Sequence, residues 1–297
     1  MRVSANGIGI EVEDHGPASA PALLLVMGLG MQLTAWPDEL VHALLQRGFR
    51  VVRFDNRDIG LSQSFDELGV PHLGWSGLKY ALRLPIAAPY SLADMAADTL
   101  GVMDALHIAQ AHVCGASMGG MIAQHLAARH PARVRSLTLM MTTSGARHLP
   151  QARPPLQRAL LTRFTRPFAR EMAVPQLEDL LRLIGSPAYQ PDPTELHRRI
   201  EAMVHRSWRP RGTARQLVAV AADGDRSALL HRVRAPVHVI HGQADPLVPV
   251  AAAHDLARKL SGATLDLVDG MGHDLPLPLV ERFARGIGAN AERAPVK

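Results

Sequence analysis

The sequence predicts an α/β protein with a mostly parallel sheet and helices on both faces. Short, fully apolar segments alternate with longer segments whose apolar residues recur at helical spacing, and this alternation is typical of a parallel sheet. A length of 297 residues allows one large core with an insertion. Residues 144–230 interrupt the alternation with helical patterns and several prolines. We therefore expect a core formed by residues 1–143 and 231–297, and a helical cap formed by residues 144–230.

Each element is predicted from its periodicity and from the turn residues that bound it. An edge hairpin is expected near residues 7–12. The predicted buried strands are Ala22–Met27, Phe49–Phe54, Ala111–Gly115, Val134–Met141, Pro236–Ile240 and Thr264–Val268. The predicted core helices cover residues 34–47, 91–107, 117–130, 250–260 and 279–287. Within the insertion, helical patterns run over Leu156–Phe168 and Leu177–Ile184, and no strand is predicted there.

Composition and charge exclude several classes of protein. Apolar residues make up 47% of the chain and charged residues 20%, as in soluble globular proteins. The longest apolar run is too short to span a bilayer, and the N-terminus lacks the features of a secretory signal. Cys114 is the only cysteine, so we expect a buried thiol, no internal disulfide and a cytoplasmic location.

The positive charge of the chain is concentrated in one segment. Residues 144–215 contain 13 Arg against 6 Asp and Glu, whereas the whole chain carries a formal charge of +5. Nucleic-acid binding would require stacking aromatic residues or a recognisable reading module beside such a patch, and the segment has only the scattered Phe164, Phe168, Tyr189 and Trp208 and no such module. We expect a solvated basic face and no nucleic-acid partner.

Ser117 lies at the point where an apolar strand ends and a helix starts. It is flanked by glycines in the sequence Gly115-Ala-Ser-Met-Gly119. A serine exposed on such a turn adopts a strained backbone conformation, and the crowding around it admits only very small neighbours. The unpaired N–H groups of the first helical turn lie beside the hydroxyl and favour negative charge there. The pattern predicts a nucleophile elbow, although it also arises by chance, so partners elsewhere must support it.

Six features follow one another along the chain in a distinctive order. They are Met27-Gly-Leu-Gly30, the Asp55–Ser62 loop, Gly115-Ala-Ser-Met-Gly119, the helical insertion, His241-Gly-Gln-Ala-Asp245 and Gly270-Met-Gly-His273. This order resembles the α/β-hydrolase superfamily and covers nearly the whole chain. Within that superfamily the chain is most similar to the serine carboxylesterase group that includes aclacinomycin methylesterase.

The resemblance implies a catalytic triad whose members follow the carboxyl ends of strands. Ser117 matches the nucleophile, Asp245 the acid and His273 the base. Asp266 and Asp269 lie on or near the next strand and are weaker rivals of Asp245. His273 is preferred among fifteen histidines because it follows the last strand.

The resemblance also implies an oxyanion hole formed by the backbone N–H groups of Leu29 and Met118. Many family members carry His-Gly where this chain has Met27-Gly28. The replacement of histidine by Met27 does not affect a backbone N–H donor, whereas any support of the turn by a histidine ring is lost. Leu29, Met31 and Met118 are expected to line an apolar acyl or alcohol pocket together with residues of the insertion.

Five further polar residues are expected to be structural. Asp55, Arg57 and Ser62 match a loop that supports the site from below in the family, and we assign them no catalytic part. His241 begins the segment that carries the acid, and His125 lies on the helix after the elbow. Histidines in such positions more often pack or bond structurally than catalyse.

The residues together predict a serine carboxylesterase that cleaves small or medium esters through an acyl-enzyme intermediate. Metal-binding and phosphate-binding motifs are absent, so we expect no cofactor and no metal. Thioesterase, lactonase, carbon–carbon bond hydrolase and perhydrolase activities use the same triad and stay open, as does a non-catalytic ligand-binding protein of this fold. Ser117 argues against the dehalogenase and epoxide-hydrolase branches, which need an aspartate at that position. Oligomeric state stays open as well.

Overall fold

The computed structural model describes residues 1–152, 156–157 and 170–295. Within these residues eight strands form one sheet: β1 (Arg2–Ala5), β2 (Ile8–His15), β3 (Ala22–Val26), β4 (Arg50–Phe54), β5 (Ala111–Ala116), β6 (Val134–Met140), β7 (Val237–Gly242) and β8 (Thr264–Val268). Their order is β1-β2-β4-β3-β5-β6-β7-β8. The first two pairings are antiparallel and the rest are parallel, as the alternating pattern predicts.

The described residues form the helices α1 (Asp38–Gln46), α2 (Leu73–Ala81), α3 (Leu92–Ala105), α4 (Met118–Arg129), α5 (Ala173–Ile184), α6 (Pro193–Arg206), α7 (Pro210–Asp223), α8 (Ser227–Leu230), α9 (Ala251–Lys259) and α10 (Val280–Glu292). Five of them pack on the two faces of the sheet. Buried residues of α3, α4 and α9 belong to the core on one face, and those of α1 and α10 to the core on the other. The predicted fold class is therefore confirmed.

The position of β3 inside the sheet, between β4 and β5, explains why its residues form an uninterrupted apolar run. Successive side chains of a strand point to opposite faces of the sheet. Leu24 and Val26 accordingly join the core beneath α3 and α4, whereas Leu23 and Leu25 join the core beneath α1 and α10. Both faces of the strand are buried, so both sets of positions must be apolar.

Helices α1 and α2 differ from the sequence-based expectation. Helix α1 begins at Asp38 rather than at residue 34, because a residue before proline avoids the helical conformation and Trp36 is extended with ψ 117°. A short 3-10 helix, Leu33–Ala35, precedes it. Helix α2 was not predicted, since Gly74 and Gly77 interrupt its helical pattern.

The insertion between β6 and β7 contributes α5 to α8, and its described residues contain no strand. Helix α5 matches the predicted Leu177–Ile184 but starts earlier, at Ala173. Most of the predicted Leu156–Phe168 helix lies outside the described residues. The boundaries at residues 144 and 230 stay predictions. Across the described part of the chain, no helix is both long and apolar enough to cross a bilayer.

The basic face expected on the insertion is not solvated throughout. Arg215 on α7 is fully buried and pairs with Asp58 of the core, with Nη2 2.7 Å from Oδ1. Arg206 on α6 pairs with Asp55 at 2.8 Å. For these two arginines the expectation was wrong, because the core loop that follows β4 presents carboxylates to α6 and α7. Part of the local positive charge therefore joins the insertion to the core.

Candidate active site

Ser117 occupies the turn between β5 and α4 in a conformation that ordinary residues avoid, with φ 55° and ψ −121°. Two contacts with the end of β6 hold it. The Ser117 N–H donates to the Met140 carbonyl at 2.9 Å, and the Thr142 hydroxyl donates to the Ser117 carbonyl at 2.7 Å. The strained turn is thus fixed by the neighbouring strand as well as by its own helix.

The glycines around Ser117 are required by backbone crowding. A Cβ atom on Gly115 would collide with the Gly119 carbonyl, and one on Gly119 would collide with the Val26 carbonyl of β3. The second contact brings α4 directly against the strand that leads into the Gly28–Gly30 turn. The predicted need for very small neighbours follows from this close approach.

The three residues predicted as a triad meet at the carboxyl ends of their strands. His273 Nε2 is 2.9 Å from Ser117 Oγ, and His273 Nδ1 is 2.7 Å from Asp245 Oδ2. The other carboxylate oxygen of Asp245 accepts the N–H groups of Leu247 and Val248 at 2.9 and 2.8 Å. Because a carboxylate only accepts, Nδ1 carries the ring proton and Nε2 is left to accept the Ser117 proton.

The rival acids lie elsewhere. Asp266 forms a two-point ion pair with Arg282 on α10, at 2.5 and 3.0 Å. Asp269 is exposed. By contrast, Asp245 and His273 are only 6% and 9% exposed. Among the three aspartates, the structure brings Asp245 alone to His273.

The two neighbouring histidines have structural partners. His241 donates from Nε2 to the Val248 carbonyl at 2.8 Å, inside the loop that carries Asp245. Burial lowers the pKa of His241, which favours the neutral ring. His125 Nε2 lies 2.7 Å from Asp223 Oδ1 and joins α4 to α7. Neither ring contacts Ser117.

Two backbone donors border the space beside the Ser117 hydroxyl. Met118 is the first residue of α4, so its N–H has no intrahelical partner. The N–H of Leu29 likewise has no acceptor among the described residues. A Cβ atom on Gly28 would lie 3.1 Å from the Ser117 Cβ, which shows how closely this turn approaches the serine. Leu29 and Met118 are thus available to a ligand at Ser117.

A family model described as the alpha/beta hydrolase fold matches residues 21–277. The chain belongs to this family. Rhodomycin D methylesterase of Streptomyces peucetius is 32% identical over an alignment of 309 positions, covering 94% of this chain and 93% of that protein. The 2-hydroxymuconate semialdehyde hydrolase of Pseudomonas sp. CF600 is 28% identical, covering 97% of this chain and 94% of that protein.

The solved structures give the same fold. The enol-lactonase from Burkholderia xenovorans LB400 superposes with a TM-score of 0.76 and is 25% identical, covering 99% of this chain and 100% of that one. The predicted resemblance is therefore confirmed, and in this member of the family His273 lies within hydrogen-bond distance of both Ser117 and Asp245.

The insertion of this α/β hydrolase holds the loop that carries His273. The His273 N–H donates to the Ile184 carbonyl at the end of α5, at 2.7 Å. The next segment supplies Ser186, whose Oγ accepts the Gly272 N–H at 2.8 Å and donates to Asp274 Oδ1. Burial raises the pKa of Asp274, and the bonds from Ser186 oppose that rise. Sequence reasoning missed Ser186, because its partner lies 88 positions away and no motif marks the pair.

Hydrogen bonds hold the Asp55–Ser62 loop, for which a structural part is expected from the sequence. Asp55 Oδ1 accepts the Leu33 N–H at 2.8 Å, and the Ser62 hydroxyl donates to the Asp55 carbonyl at 2.6 Å. Arg57 forms a two-point pair with Asp98 on α3, at 2.6 and 2.7 Å. These bonds brace the turns below the site without touching the triad.

A cavity of about 1570 Å³ adjoins Ser117 and His273. Apolar side chains from the core and from the insertion dominate its lining: Leu29, Met31, Met118, Met121, Leu149, Leu177, Ile200 and Met203. Leu29, Met31 and Met118 thus line it as the sequence predicts. Ligand pockets usually measure about 300–1,000 Å³, so this cavity is large.

Neither the Cys114 thiol nor a metal cluster marks a second site among the described residues. Cys114 is fully buried in the core, and burial raises the pKa of its thiol. Across the residues with described positions, no group of three or more His, Cys, Asp or Glu side chains is arranged to hold a metal ion.

Proposed function

We propose that the protein is a serine carboxylesterase that acts through an acyl-enzyme intermediate. The observation that carries the proposal is the relay from Asp245 through His273 to Ser117, with distances of 2.7 and 2.9 Å. The methylesterase relatives support carboxylic ester hydrolysis as the enzyme class. Fold alone would not assign it, since this fold serves many reactions.

In the first half of the reaction, Ser117 Oγ attacks the carbonyl carbon of the ester while its proton passes to His273 Nε2. Asp245 holds the ring in the required tautomer and stabilises the imidazolium. The N–H groups of Leu29 and Met118 stabilise the oxyanion of the tetrahedral intermediate. When the intermediate collapses, His273 returns the proton to the departing alkoxide, which leaves as the alcohol.

In the second half, a water molecule replaces the alcohol. His273 Nε2 takes a proton from the water as its oxygen attacks the acyl carbon. The second tetrahedral intermediate then breaks the bond to Ser117 Oγ, which recovers its proton from His273. The carboxylic acid is released and the enzyme returns to its starting state.

We propose methyl esters of bulky apolar acids as the substrate class. Two relatives are named methylesterases, so the alcohol is small in those proteins. The apolar cavity of about 1570 Å³ has room for a large acyl group beside Ser117. The size range therefore extends beyond the small and medium esters expected from the sequence.

Replacement of the nucleophile tests the proposal. Ser117→Ala should reduce ester turnover by a factor on the order of 10⁴ or more and abolish labelling by an organophosphonate. Ser136→Ala is the matched control, because Ser136 is a buried serine on the neighbouring strand β6 that bonds to His112 on β5. It should retain both turnover and labelling. Unchanged ester hydrolysis by the Ser117→Ala variant would contradict the proposal.

Rival reactions on the same triad are separated by one substrate panel. Methyl esters of graded acyl size, a thioester, a lactone and a vinylogous 1,5-diketone should be compared at equal enzyme concentration. The highest kcat/KM is expected for a methyl ester with a large apolar acyl group. A higher value for the lactone or the diketone would replace the methylesterase assignment, and ligand retention without turnover would indicate a binding protein.

A further inference from the structure

Gln216 on helix α7 connects the insertion to the turn that carries the Leu29 donor. Its Oε1 accepts the Gly30 N–H at 2.9 Å, and its Nε2 donates to the Arg57 carbonyl at 2.8 Å. The side chain is completely buried. Both ends of the amide are satisfied in one orientation only, because an oxygen must face the N–H and a nitrogen must face the carbonyl.

The turn from Gly28 to Met31 places Leu29 between two peptide groups. The peptide that precedes Leu29 consists of the Gly28 carbonyl and the Leu29 N–H. Its carbonyl accepts the Met31 N–H at 3.3 Å and closes the turn. The peptide that follows Leu29 carries the Gly30 N–H and is held by Gln216. Gly30 has φ +69°, so this second peptide belongs to a turn that glycine alone adopts easily.

Without Gln216, the second peptide would lose its acceptor. The central peptide of a four-residue turn rotates between alternative turn types at low cost when nothing outside the turn holds it, and glycine at the third position permits both. A shift of the turn, once Gln216 no longer holds it, would displace the Leu29 N–H of the preceding peptide relative to Ser117. A misplacement of about 1 Å in a catalytic arrangement can cost about 100-fold in rate.

Helix α7 packs against the turn at a second point. A Cβ atom on Gly30 would lie 2.7 Å from Thr213 Cγ2, one helical turn before Gln216. The other end of Gln216 bonds to Arg57, whose guanidinium is itself fixed by Asp98. The amide is therefore a rigid connection between two loops and a helix of the insertion.

We propose that Gln216 is a positioning residue of the oxyanion hole. It fixes the Gly28–Met31 turn so that the Leu29 N–H meets the oxyanion, and it does so from the insertion. The insertion thereby takes part in the chemical step in addition to enclosing the substrate. The inference rests on the proposed function, because it concerns the Leu29 donor of that reaction.

The test replaces the amide by an apolar side chain of similar length. Gln216→Met should lower kcat about 10- to 100-fold for a methyl ester while KM changes less than about threefold, since the lost alignment matters in the transition state. The inhibition constant of a trifluoromethyl ketone should rise by a similar factor, because its adduct carries the oxyanion. Gln216→Glu should restore most of kcat, because burial favours the protonated carboxyl, which can accept from the Gly30 N–H and donate to the Arg57 carbonyl.

Tyr90→Phe is the matched control, because it also removes a buried hydrogen bond close to the contact between α7 and the core. It removes the 2.8 Å bond to Asp58, which is the partner of Arg215 on α7, without touching the Gly28–Met31 turn. It should lower Tm and leave kcat within about twofold, because a hydrogen bond contributes to stability wherever it lies. If Gln216→Met fails to fold, Gln216→Asn, which is shorter by one methylene, should show the same fall in kcat.

Three outcomes would overturn the inference: a kcat of Gln216→Met no lower than that of Tyr90→Phe, a rise in KM at unchanged kcat, or an unaltered ketone inhibition constant. Organophosphonate labelling of the wild-type enzyme keeps these outcomes separate from the proposed function. Normal labelling with a fully active Gln216→Met variant contradicts the positioning role alone. A wild-type enzyme that neither reacts with the probe nor hydrolyses esters contradicts the proposed function itself.

Discussion

Ser117 retains its strained backbone conformation because surrounding groups leave it no alternative. A non-glycine residue with φ 55° and ψ −121° costs roughly 1–3 kcal/mol. The hydrogen bonds to Met140 and Thr142 hold the turn, and Gly119 lets α4 approach the carbonyl of Val26. The hydroxyl is therefore placed by its neighbours rather than by local preference.

Asp245 is predicted to act through the tautomer of His273. Asp245→Asn should lower kcat about 10³- to 10⁴-fold with KM nearly unchanged, because an amide allows the ring to present Nε2–H to the serine. Steady-state kinetics on a methyl ester, with circular dichroism as a check of folding, measures this effect.

Asp266→Asn provides the control for that measurement. Asp266 carries the same functional group on the neighbouring strand, yet it pairs with Arg282. Its replacement should leave kcat within about twofold, because Asp266 does not bond to His273 and a partly exposed ion pair contributes little to the stability of the fold. A large fall in kcat for Asp266→Asn and a small one for Asp245→Asn would reverse the assignment of the acid.

Two of the catalytic candidates lie next to a local signal in the sequence, whereas Asp245 was predicted through the resemblance to the family. Ser117 has flanking glycines, and His273 follows a strand and a glycine-containing loop. Ser186 and Gln216 have no such signal. Their hydrogen bonds join residues 86 to 186 positions apart, and no periodicity or spacing in the sequence encodes such contacts.

At the scale of elements, the site depends on neighbouring parallel strands. Ser117 follows β5, Asp245 follows β7 and His273 follows β8, and the order β5-β6-β7-β8 keeps these strands close together. Because the strands are parallel, all three loops emerge at one edge of the sheet. The loop that carries His273 is held in addition by Ser186, which lies in the segment after α5 and accepts the Gly272 N–H.

Loss of the brace at Ser186 should weaken catalysis without abolishing it. Ser186→Ala removes the acceptor for the Gly272 N–H and the donor to Asp274. We expect kcat to fall about 2- to 10-fold, because one buried hydrogen bond contributes about 0.5–1.5 kcal/mol. Steady-state kinetics on the methyl ester substrate gives kcat and KM separately, and KM should change little.

Ser227→Ala is the matched control for Ser186→Ala, because Ser227 also lies in the insertion and also bonds to an aspartate, Asp225. That pair is exposed, so its loss should not change kcat. Ser186→Thr keeps the hydroxyl and should recover much of the activity. Equal effects of the two alanine variants would show that Ser186 does not position His273.

At the scale of the whole molecule, a buried polar seam joins the insertion to the core. Arg215 and Asp58 are both fully buried and form a two-point pair at 2.7 and 2.8 Å. Tyr90 donates a further bond to Asp58, and the Gly69 carbonyl accepts from Arg215. The hydrogen bond to Asp58 raises the pKa of Arg215, so the guanidinium stays charged.

Breaking this pair from one side should destabilise the whole protein. Arg215→Met leaves the Asp58 carboxylate buried without its cation, which costs about 3–5 kcal/mol in comparable cases. The urea midpoint should fall accordingly. Arg198→Met is the control, because Arg198 pairs with Glu195 on the surface, and its midpoint should be unchanged. Equal urea midpoints for Arg215→Met and the wild type would show that the seam does not stabilise the fold.

The sequence by itself determined the fold class and the order of the strands along the chain, because apolar runs, glycine-flanked turns and strand ends can be read within a few residues. The resemblance to the family, which rests on the order of motifs along the whole chain, added Ser117, Asp245 and His273 as the candidate triad. The three-dimensional structure decided which aspartate reaches His273, where the arginines of the insertion find partners and how Gln216 holds the turn at Leu29. Those contacts join distant segments, and they exist only once packing has brought the segments together.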